Sequence, residues 1–211
     1  MARGSFREHV LQAREAAIVA AVNRLLSEKG FDAMTVDAVA AEVGIAKASL
    51  YKHFKSKEDL AAAAIVGVLD RALALIETLQ NDPAVDARER LRAVTRWAMQ
   101  AQLAGEMPSL PAQNSALRGA LMSNKAYLDR LMQVSDRLGA WITAGQADGR
   151  LDPGLPPEVF LYTVFARACD PVLSLLKAGG NYADDRIIEL LLSTCFSGLD
   201  GVAPKIGVPP G

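Results

Sequence analysis

One glycine between two short apolar helical patterns constrains the fold of this chain more than any other feature. The pattern lies in residues 35–59, TVDAVAAEVGIAKASLYKHFKSKED. Before the glycine, a stripe at helical spacing predicts a buried helix face: Val36, Val39, Ala40 and Val43. Gly44 supplies a tight turn, because a residue that tolerates positive φ costs least there. Leu50 and Phe54 then predict the buried side of a second helix, so the stretch is predicted to be a helix-turn-helix.

The residues at the helix ends agree with this interpretation. Gly30 is predicted to end the preceding helix. Thr35 is suited to cap the next helix through its hydroxyl, and Asp37 favours the positive end of that helix. Ser56 and Asp59 form a capping-box-like pair at the start of a later helix. The region therefore predicts a unit of three helices, the first packed over the other two.

The second helix of the pair carries a local positive charge. Four lysines are the only formally charged residues from Gly44 to Lys57, whereas the whole chain has a net charge of −1. A field of the whole chain therefore does not attract nucleic acid, and the positive charge acts locally. Lys47 and Ser49 are predicted to reach base edges, since lysine suits guanine O6 and N7. Ala46 and Ala48 are small enough to permit close approach to the major groove.

Another set of side chains is predicted to contact phosphates: Tyr51, Lys52, His53 and Lys57. Phosphate contacts set register and most of the affinity, whereas base contacts set sequence. The alternative is that the lysines form a solvated face and that Tyr51 and His53 pack against the core. Arg3 and Arg7 form a short basic arm that either touches a minor groove or is disordered.

The residues that carry these patterns are Thr35, Val36, Ala40, Val43, Gly44, Leu50, Tyr51, His53, Phe54, Lys57 and Leu60. Over about residues 10–70 they resemble the TetR/AcrR family of bacterial transcriptional regulators. The family pattern is roughly T-[IV]-x-x-[IV]-A, then A-G-[IV]-[SA], then L-Y-x-[HY]-F-x-x-K-x-x-L, and Val43 stands where alanine is commoner. The resemblance implies DNA-backbone contacts for Thr35, Tyr51, His53 and Lys57. It implies that Lys47, Ala48, Ser49 and Lys52 vary with the operator.

The remainder of the chain is predicted to be helical, which gives an all-α fold. Aromatic residues are only 6% of the chain, and alternating β-branched runs are few. One helix is expected to run unbroken from Lys57 to about Leu79, and Pro171 should kink the penultimate helix. The predicted domains are 1–56, which binds DNA, and 57–211, which binds an effector and dimerises.

The family resemblance implies that the last two helices form a four-helix interface between two copies. A helix that is apolar almost all round must be buried on several sides. Two-fold symmetry also suits a palindromic operator. The predicted interface residues are Phe160, Leu161, Val164, Ile188, Leu191, Leu192 and Phe196.

The resemblance also implies a small-molecule pocket among the central helices. The side chains available there favour an apolar or aromatic effector. Each of these residues is alternatively a core residue. The candidates are Trp97, Met99, Gln100, Met107, Tyr127, Leu131, Met132, Trp141 and Phe165.

The sequence does not predict an enzyme, a cofactor or a metal site. The chain has two histidines, His9 and His53, and lacks the HExxH, Cys-x-x-Cys, G-x-S-x-G and phosphate-loop motifs. Cys169 and Cys195 show no metal-binding or redox spacing. The longest apolar stretch, 60–69, is too short to span a bilayer, and no signal peptide is apparent, so a cytoplasmic location is expected.

The most direct functional interpretation is a repressor that a small effector releases from a palindromic operator. A transcriptional activator or a ligand-independent regulator of the same fold remains an alternative. A helical adaptor that uses the helix-turn-helix for protein contacts is more distant. Binding of an adaptor to duplex DNA would lack the steep salt dependence that phosphate contacts produce.

Overall fold

The computed structural model describes residues 2–108 and 116–197, with side chains from residue 11 onward except residue 12. The basic arm at Arg3 and Arg7 lies outside the described side chains, and the C-terminal tail from 198 lies outside the described residues. No strand occurs in the described ranges, and the predicted all-α fold class is confirmed. The helices are α1 (Ala2–Ala33), α2 (Val36–Val43), α3 (Lys47–Leu50), α4 (Lys57–Gln80), α5 (Ala87–Leu103), α6 (Ala116–Met122), α7 (Lys125–Ala147), α8 (Pro157–Arg167), α9 (Pro171–Gly179) and α10 (Asp184–Ser197).

The predicted break at Gly30 is present inside α1, where this residue has a φ of 74°. The break at Pro171 is larger than the predicted kink, because α8 ends at Arg167 and α9 begins at Pro171. Asp170 caps α9: its carboxylate accepts a hydrogen bond from the backbone N–H of Val172 at 3.0 Å. Proline at the first helical position removes an N–H that would have no helical partner, so it starts a new helix there.

The described residues form two compact units, and the first comprises Met1–Leu73 with Ala101–Met132. Its core gathers apolar side chains from α1, α2, α3, α4 and α6. The sequence did not predict the contribution of α6, whose Leu117 and Leu121 are buried in this core. The other large members are Ile18, Val22, Leu25, Leu26, Met34, Val39, Leu50, Phe54 and Leu60.

The second compact unit comprises Ala74–Gln100 with Gln133–Gly211. Glu189 of α10 forms ion pairs with Arg92 and Arg96, which lie one helical turn apart on α5. The Arg92 Nη2 to Glu189 Oε2 distance is 2.9 Å. The hydrogen bond from Arg96 is the largest influence that lowers the pKa of Glu189, and the charges of both arginines act in the same direction. This cluster joins α5 to α10.

The two compact units divide the chain differently from the predicted domains. The predicted boundary at 56/57 falls at the start of α4, whereas the first unit retains α4 up to Leu73 and includes α6. The difference arises because the compact units are set by which helices pack together, and α4 and α6 both supply side chains to the core of the first unit. The division at 56/57 concerns function and stays a prediction.

The segment Pro157–Gly179 corrects the expectation that no apolar stretch is long enough to cross a bilayer. By length and composition alone this segment is long and apolar enough to cross a membrane. Its most apolar window has a mean hydropathy of 1.5, and 22% of that window is buried. The segment is nevertheless interrupted in its middle, where the guanidinium of Arg167 pairs with the carboxylate of Asp170. A charged pair and a helix break are unfavourable in hydrocarbon.

Candidate nucleic-acid interface

The turn of the helix-turn-helix has the backbone conformation that its glycine predicts. Gly44 has φ 70° and ψ 35°, the left-handed region, and its N–H donates to the Ala41 carbonyl at 3.2 Å. The next N–H, of Ile45, donates to the Ala40 carbonyl at 3.0 Å. These bonds satisfy the last carbonyls of α2 and reverse the chain toward α3.

The ends of the neighbouring helices are also capped as predicted. The hydroxyl of Thr35 accepts from the Ala38 N–H at 3.1 Å, which caps α2. Ser56 accepts from the Asp59 N–H at 3.0 Å, and the Asp59 carboxylate accepts from the Lys55 N–H at 3.1 Å. The Thr35 O–H keeps its own proton to donate, so capping does not preclude the predicted phosphate contact.

Two buried side chains orient the recognition segment, residues 46–54, which comprises α3, the residue before it and the turn after it. Leu50 is fully buried and Phe54 is nearly so. Because both point into the core, the remaining faces of the segment are turned outward. Exposed there are Ala46, Lys47, Ala48, Tyr51, Lys52 and His53, while Ser49 is half-buried.

The alternative that Tyr51 and His53 belong to the core receives no support from their burial. Tyr51 is 47% exposed, and His53 is exposed with its ring 6.5 Å from that of Phe54, tilted by 51°. Both side chains are therefore free to present polar groups outward. Their predicted phosphate contacts stay predictions.

Lys47 is not an isolated cation. Its Nζ donates to Asp37 Oδ2 at 2.8 Å, which links the first residue of α3 to the first turn of α2. This hydrogen bond is the largest influence that raises the pKa of Lys47, so the ammonium stays protonated. Sequence reasoning assigned Asp37 only to the helix end, because a contact between residues ten apart in different helices has no local signal.

Lys57 is half-buried, in contrast to the exposed lysines of α3. Its ammonium lies over the ring of Phe31 and donates to the Asp32 carbonyl. The residue therefore has a packing role in addition to its predicted phosphate contact. Within the described part of the chain, Lys52 and Lys55 have no ion-pair partner, which leaves their charge directed to solvent.

A second ion pair connects the helix-turn-helix to the helix above it. Arg24 of α1 binds the carboxylate of Glu42, near the end of α2. The two acidic residues of α2 thus have different cations, since Asp37 pairs with the recognition segment and Glu42 pairs with α1. This difference supplies a matched comparison between two carboxylates of one helix.

The predicted effector-pocket residues fall in both compact units. Met99, Met107 and Trp141 are buried, whereas Gln100 is exposed and Met132 is 64% exposed. The half-buried candidates are Trp97, Tyr127, Leu131 and Phe165. Tyr127 packs against the core of the first unit, which favours the alternative that it is a core residue.

A cavity of about 460 Å³ lies elsewhere, within the first unit, between α1, α4 and the turn at 104–106. None of the nine predicted pocket residues lines it. Its lining residues are Ala16, Val19, Ala20, Asn23, Arg24, Gly67, Arg71, Ala104, Gly105 and Glu106.

Most of the predicted interface side chains are buried inside the single chain. Phe160 and Leu192 have no exposed surface, and Ile188 and Phe196 retain only 2% each. A side chain without exposed surface has none to bury against a second copy, so these four are core residues in this structure. Val164 and Leu191 are also buried, and Leu161 is half-buried. The sequence pattern showed that these helices are buried but could not show against what.

The apolar side chains that are exposed in α8 and α9 are not among the predicted interface residues. Tyr162 of α8 is 68% exposed and Leu175 of α9 is 70% exposed, and Val159 and Val172 are exposed as well. All lie in the apolar segment Pro157–Gly179. The sequence pattern did not single them out, because the predicted interface was drawn from the most regularly spaced apolar residues; the location of any interface stays a prediction.

Comparison with known proteins places the helix-turn-helix in a defined family. Residues 18–64 match the model of the bacterial regulatory proteins of the tetR family. Over 53 residues the chain is 45% identical to the uncharacterized HTH-type transcriptional regulator Rv1556 of Mycobacterium tuberculosis. It is 42% identical over 57 residues to IcaR of Staphylococcus aureus, described as a negative transcriptional regulator of the biofilm operon icaADBC. These matches cover 25% and 27% of this chain, and 26% and 31% of those proteins.

Solved structures extend the similarity of fold to most of the chain. FadR from Bacillus subtilis, in complex with stearoyl-CoA, superposes with a TM-score of 0.65 at 20% identity, covering 87% of this chain and 98% of that one. The ketosteroid transcriptional regulator KstR2 of Mycobacterium tuberculosis gives 0.65 at 22% identity, covering 89% and 95%. At these identities the likeness concerns the fold alone. The matched residues 18–64 and the capped helix-turn-helix therefore show that this region of the chain is similar to the bacterial regulatory proteins of the tetR family, within an all-α fold like that of the solved structures.

Proposed function

We propose that this protein is a homodimeric, sequence-specific regulator that represses transcription from a palindromic operator. The observation that carries the proposal is the orientation of the recognition segment. Leu50 and Phe54 anchor it in the core, so that its lysines and small residues face outward. A helix with this exposure and charge is suited to the major groove. Repression is the described role of IcaR, which is similar over the same region.

Two-fold symmetry is part of the proposal, because a single short helix reads too few base pairs. Two recognition helices about 34 Å apart would meet successive major grooves of one palindrome. The exposed apolar side chains of α8 and α9, chiefly Tyr162 and Leu175, are the proposed contact between two copies. They replace the buried residues that the sequence pattern suggested. A regulator of this kind works in the cytoplasm, where bacterial DNA lies.

Release by a small apolar or aromatic effector completes the proposal. FadR from Bacillus subtilis, which has a similar fold, was solved with stearoyl-CoA. That complex supports an effector with a long apolar part for a chain of this fold. An effector releases the operator only if it binds one state of the dimer better than the other. Unchanged operator affinity at saturating, demonstrably bound effector would contradict this part.

Selection of bound duplexes from a random pool at physiological salt tests the central claim. We expect enrichment of a palindrome and an affinity that falls steeply with salt, because each neutralised phosphate releases counterions. Binding that is blind to sequence would refute sequence-specific regulation. Absence of any salt-dependent duplex binding would favour the helical adaptor. A reporter gene behind the enriched palindrome then separates repression from activation.

A further inference from the structure

Lys47 and Asp37 form a joined pair on the exposed side of the helix-turn-helix. We propose that Asp37 is a positioning residue that orients the Lys47 ammonium to read a guanine in the major groove. The proposal rests on the proposed function, since it specifies how the recognition segment would choose one base. It adds a residue from α2 to a reading surface that the sequence assigned to α3 alone.

The number of hydrogen-bond donors favours guanine. A lysine ammonium has three N–H donors, and one of them is used by Asp37 Oδ2 at 2.8 Å. Two donors remain, and guanine presents two neighbouring acceptors, O6 and N7, in the major groove. Adenine presents N7 beside the N6 donor group, so an ammonium held in one orientation meets only one acceptor there. A fixed ammonium is therefore more selective than a mobile one.

The effect depends on restraining a side chain that is otherwise flexible. Lysine is a compact point charge on a four-carbon stem, and an unpaired one adapts equally well to a phosphate or to any base acceptor. The Lys47 side chain is 47% exposed and that of Asp37 is 69% exposed, so the pair is accessible to a duplex. The carboxylate limits the directions in which the ammonium points without covering it.

The net charge of the pair also supports a role in choosing sequence. Lys47 and Asp37 together are neutral, so they add little to the general attraction between the protein and phosphates. That attraction is left to lysines without a carboxylate partner, such as Lys52 and Lys55. A neutral pair at the entrance to α3 therefore contributes to the choice of sequence more than to affinity.

A purely structural role for Asp37 makes a different prediction. Asp37 also lies in the first turn of α2, where a negative charge favours the positive helix end. If that were its only role, its loss would weaken the fold and reduce binding to every duplex alike. The positioning role instead predicts a lost base preference without a lost affinity for random DNA.

The experiment compares selected sequences and affinities for random duplex among five full-length proteins at one ionic strength. They are the wild type, Asp37→Asn, Lys47→Ala, the double variant, and Glu42→Gln as the matched control. We expect Asp37→Asn to lose about tenfold in preference for guanine at one position of each half-site. Its affinity for random duplex should be equal or higher, because one negative charge is removed from the interface.

The double variant and the control show whether the two residues act together. Lys47→Ala should lose the same guanine, and the double variant should match it, since Asp37 acts only through Lys47. Glu42→Gln removes the same charge from the same helix but breaks the pair with Arg24, so the guanine should be retained.

Several results would overturn the proposal. These are an unchanged guanine preference in Asp37→Asn, the same loss in Glu42→Gln, or additive losses in the double variant. If thermal unfolding shows that Asp37→Asn is misfolded, Asp37→Glu takes its place. It keeps the charge but moves the carboxylate by one methylene, and it should also weaken the guanine preference. A wild type that selects no sequence would instead refute the proposed function itself.

Discussion

The ammonium of Lys57 lies 4.3 Å from the centroid of the Phe31 ring and donates to the Asp32 carbonyl at 3.2 Å. Lys57 is the first residue of α4, and Phe31 follows the break at Gly30 in α1. One lysine thus ties the end of the first helix to the start of the fourth. Its remaining donors are still available for the predicted phosphate contact.

Lys57→Ala should therefore have two effects. The loss of the cation–π contact and the hydrogen bond should lower the free energy of unfolding by about 1 kcal/mol. Binding to all duplexes should weaken, and the salt slope should fall by about one. Thermal unfolding and a salt titration of duplex affinity measure the two effects. Lys55→Ala is the matched control: its charge is exposed, so it should change the salt slope without the loss of stability. Equal stability of the two variants would contradict the structural role of Lys57.

Gly44→Ala should destabilise the fold by about 1–2 kcal/mol, the cost of the left-handed region for a residue with a Cβ. The added Cβ meets nothing within 4 Å, so the cost is conformational rather than steric. Gly139→Ala is the control, and it should change the stability in the opposite direction. Gly139 is helical and also has open space, so alanine should stabilise α7 by about 0.5–1 kcal/mol. Chemical unfolding curves compare the two, and a neutral Gly44→Ala would contradict the need for positive φ.

Glu189→Gln should lower stability at neutral pH, by at most about 1 kcal/mol because the pair with Arg92 and Arg96 is partly exposed. The pKa of Glu189 is lowered in the folded protein. Its contribution is therefore complete above the unfolded pKa of about 4.3 and is lost as the pH falls through the lower folded pKa. The free energies of unfolding of the wild type and of Glu189→Gln, measured from pH 7 down to pH 3, should therefore converge as the pH falls. Glu77→Gln, which replaces an exposed carboxylate of α4, is the control and should leave the stability at pH 7 nearly unchanged.

Leu175→Glu should convert the proposed dimer into a monomer, because a charge would be buried among the apolar side chains of α8 and α9 at the proposed contact. Sedimentation velocity measures the change, and affinity for a palindromic duplex should fall with it. Met122→Glu also adds a charge at an exposed apolar side chain, but in the first compact unit, and should leave the dimer intact. A dimer that survives Leu175→Glu would place the contact between copies on another surface.

Phe160→Ala tests the reassignment of the buried residues. Phe160 has no exposed surface in the single chain, so its truncation should cost about 3–5 kcal/mol of stability. Leu175→Ala, at an exposed side chain, should change the stability of the single folded chain little. A Phe160→Ala protein that is less stable but still dimeric by sedimentation velocity would agree with a core role. A stable Phe160→Ala that only dissociates would restore the interface role predicted from its spacing.

The sequence determined the features that depend on neighbours in the chain. The Thr35 and Ser56 caps and the turn at Gly44 follow from hydrogen bonds that span three to five residues, so the pattern of residue types suffices to predict them. The length of α4 and a disturbance of the helix at Pro171 follow for the same reason, since helix propagation and proline chemistry are local. The sequence predicted only a kink there, and the structure shows a complete break between α8 and α9.

Only the tertiary structure decided which partner each side chain meets. Lys47 meets Asp37 and Lys57 meets Phe31 across different helices, and no spacing rule connects such pairs. The apolar spacing around Phe160 showed that this side chain is buried, but burial inside one chain and burial between two chains leave the same sequence pattern. Exposure depends on how helices pack, and packing depends on the summed contacts of the whole fold rather than on any segment of it.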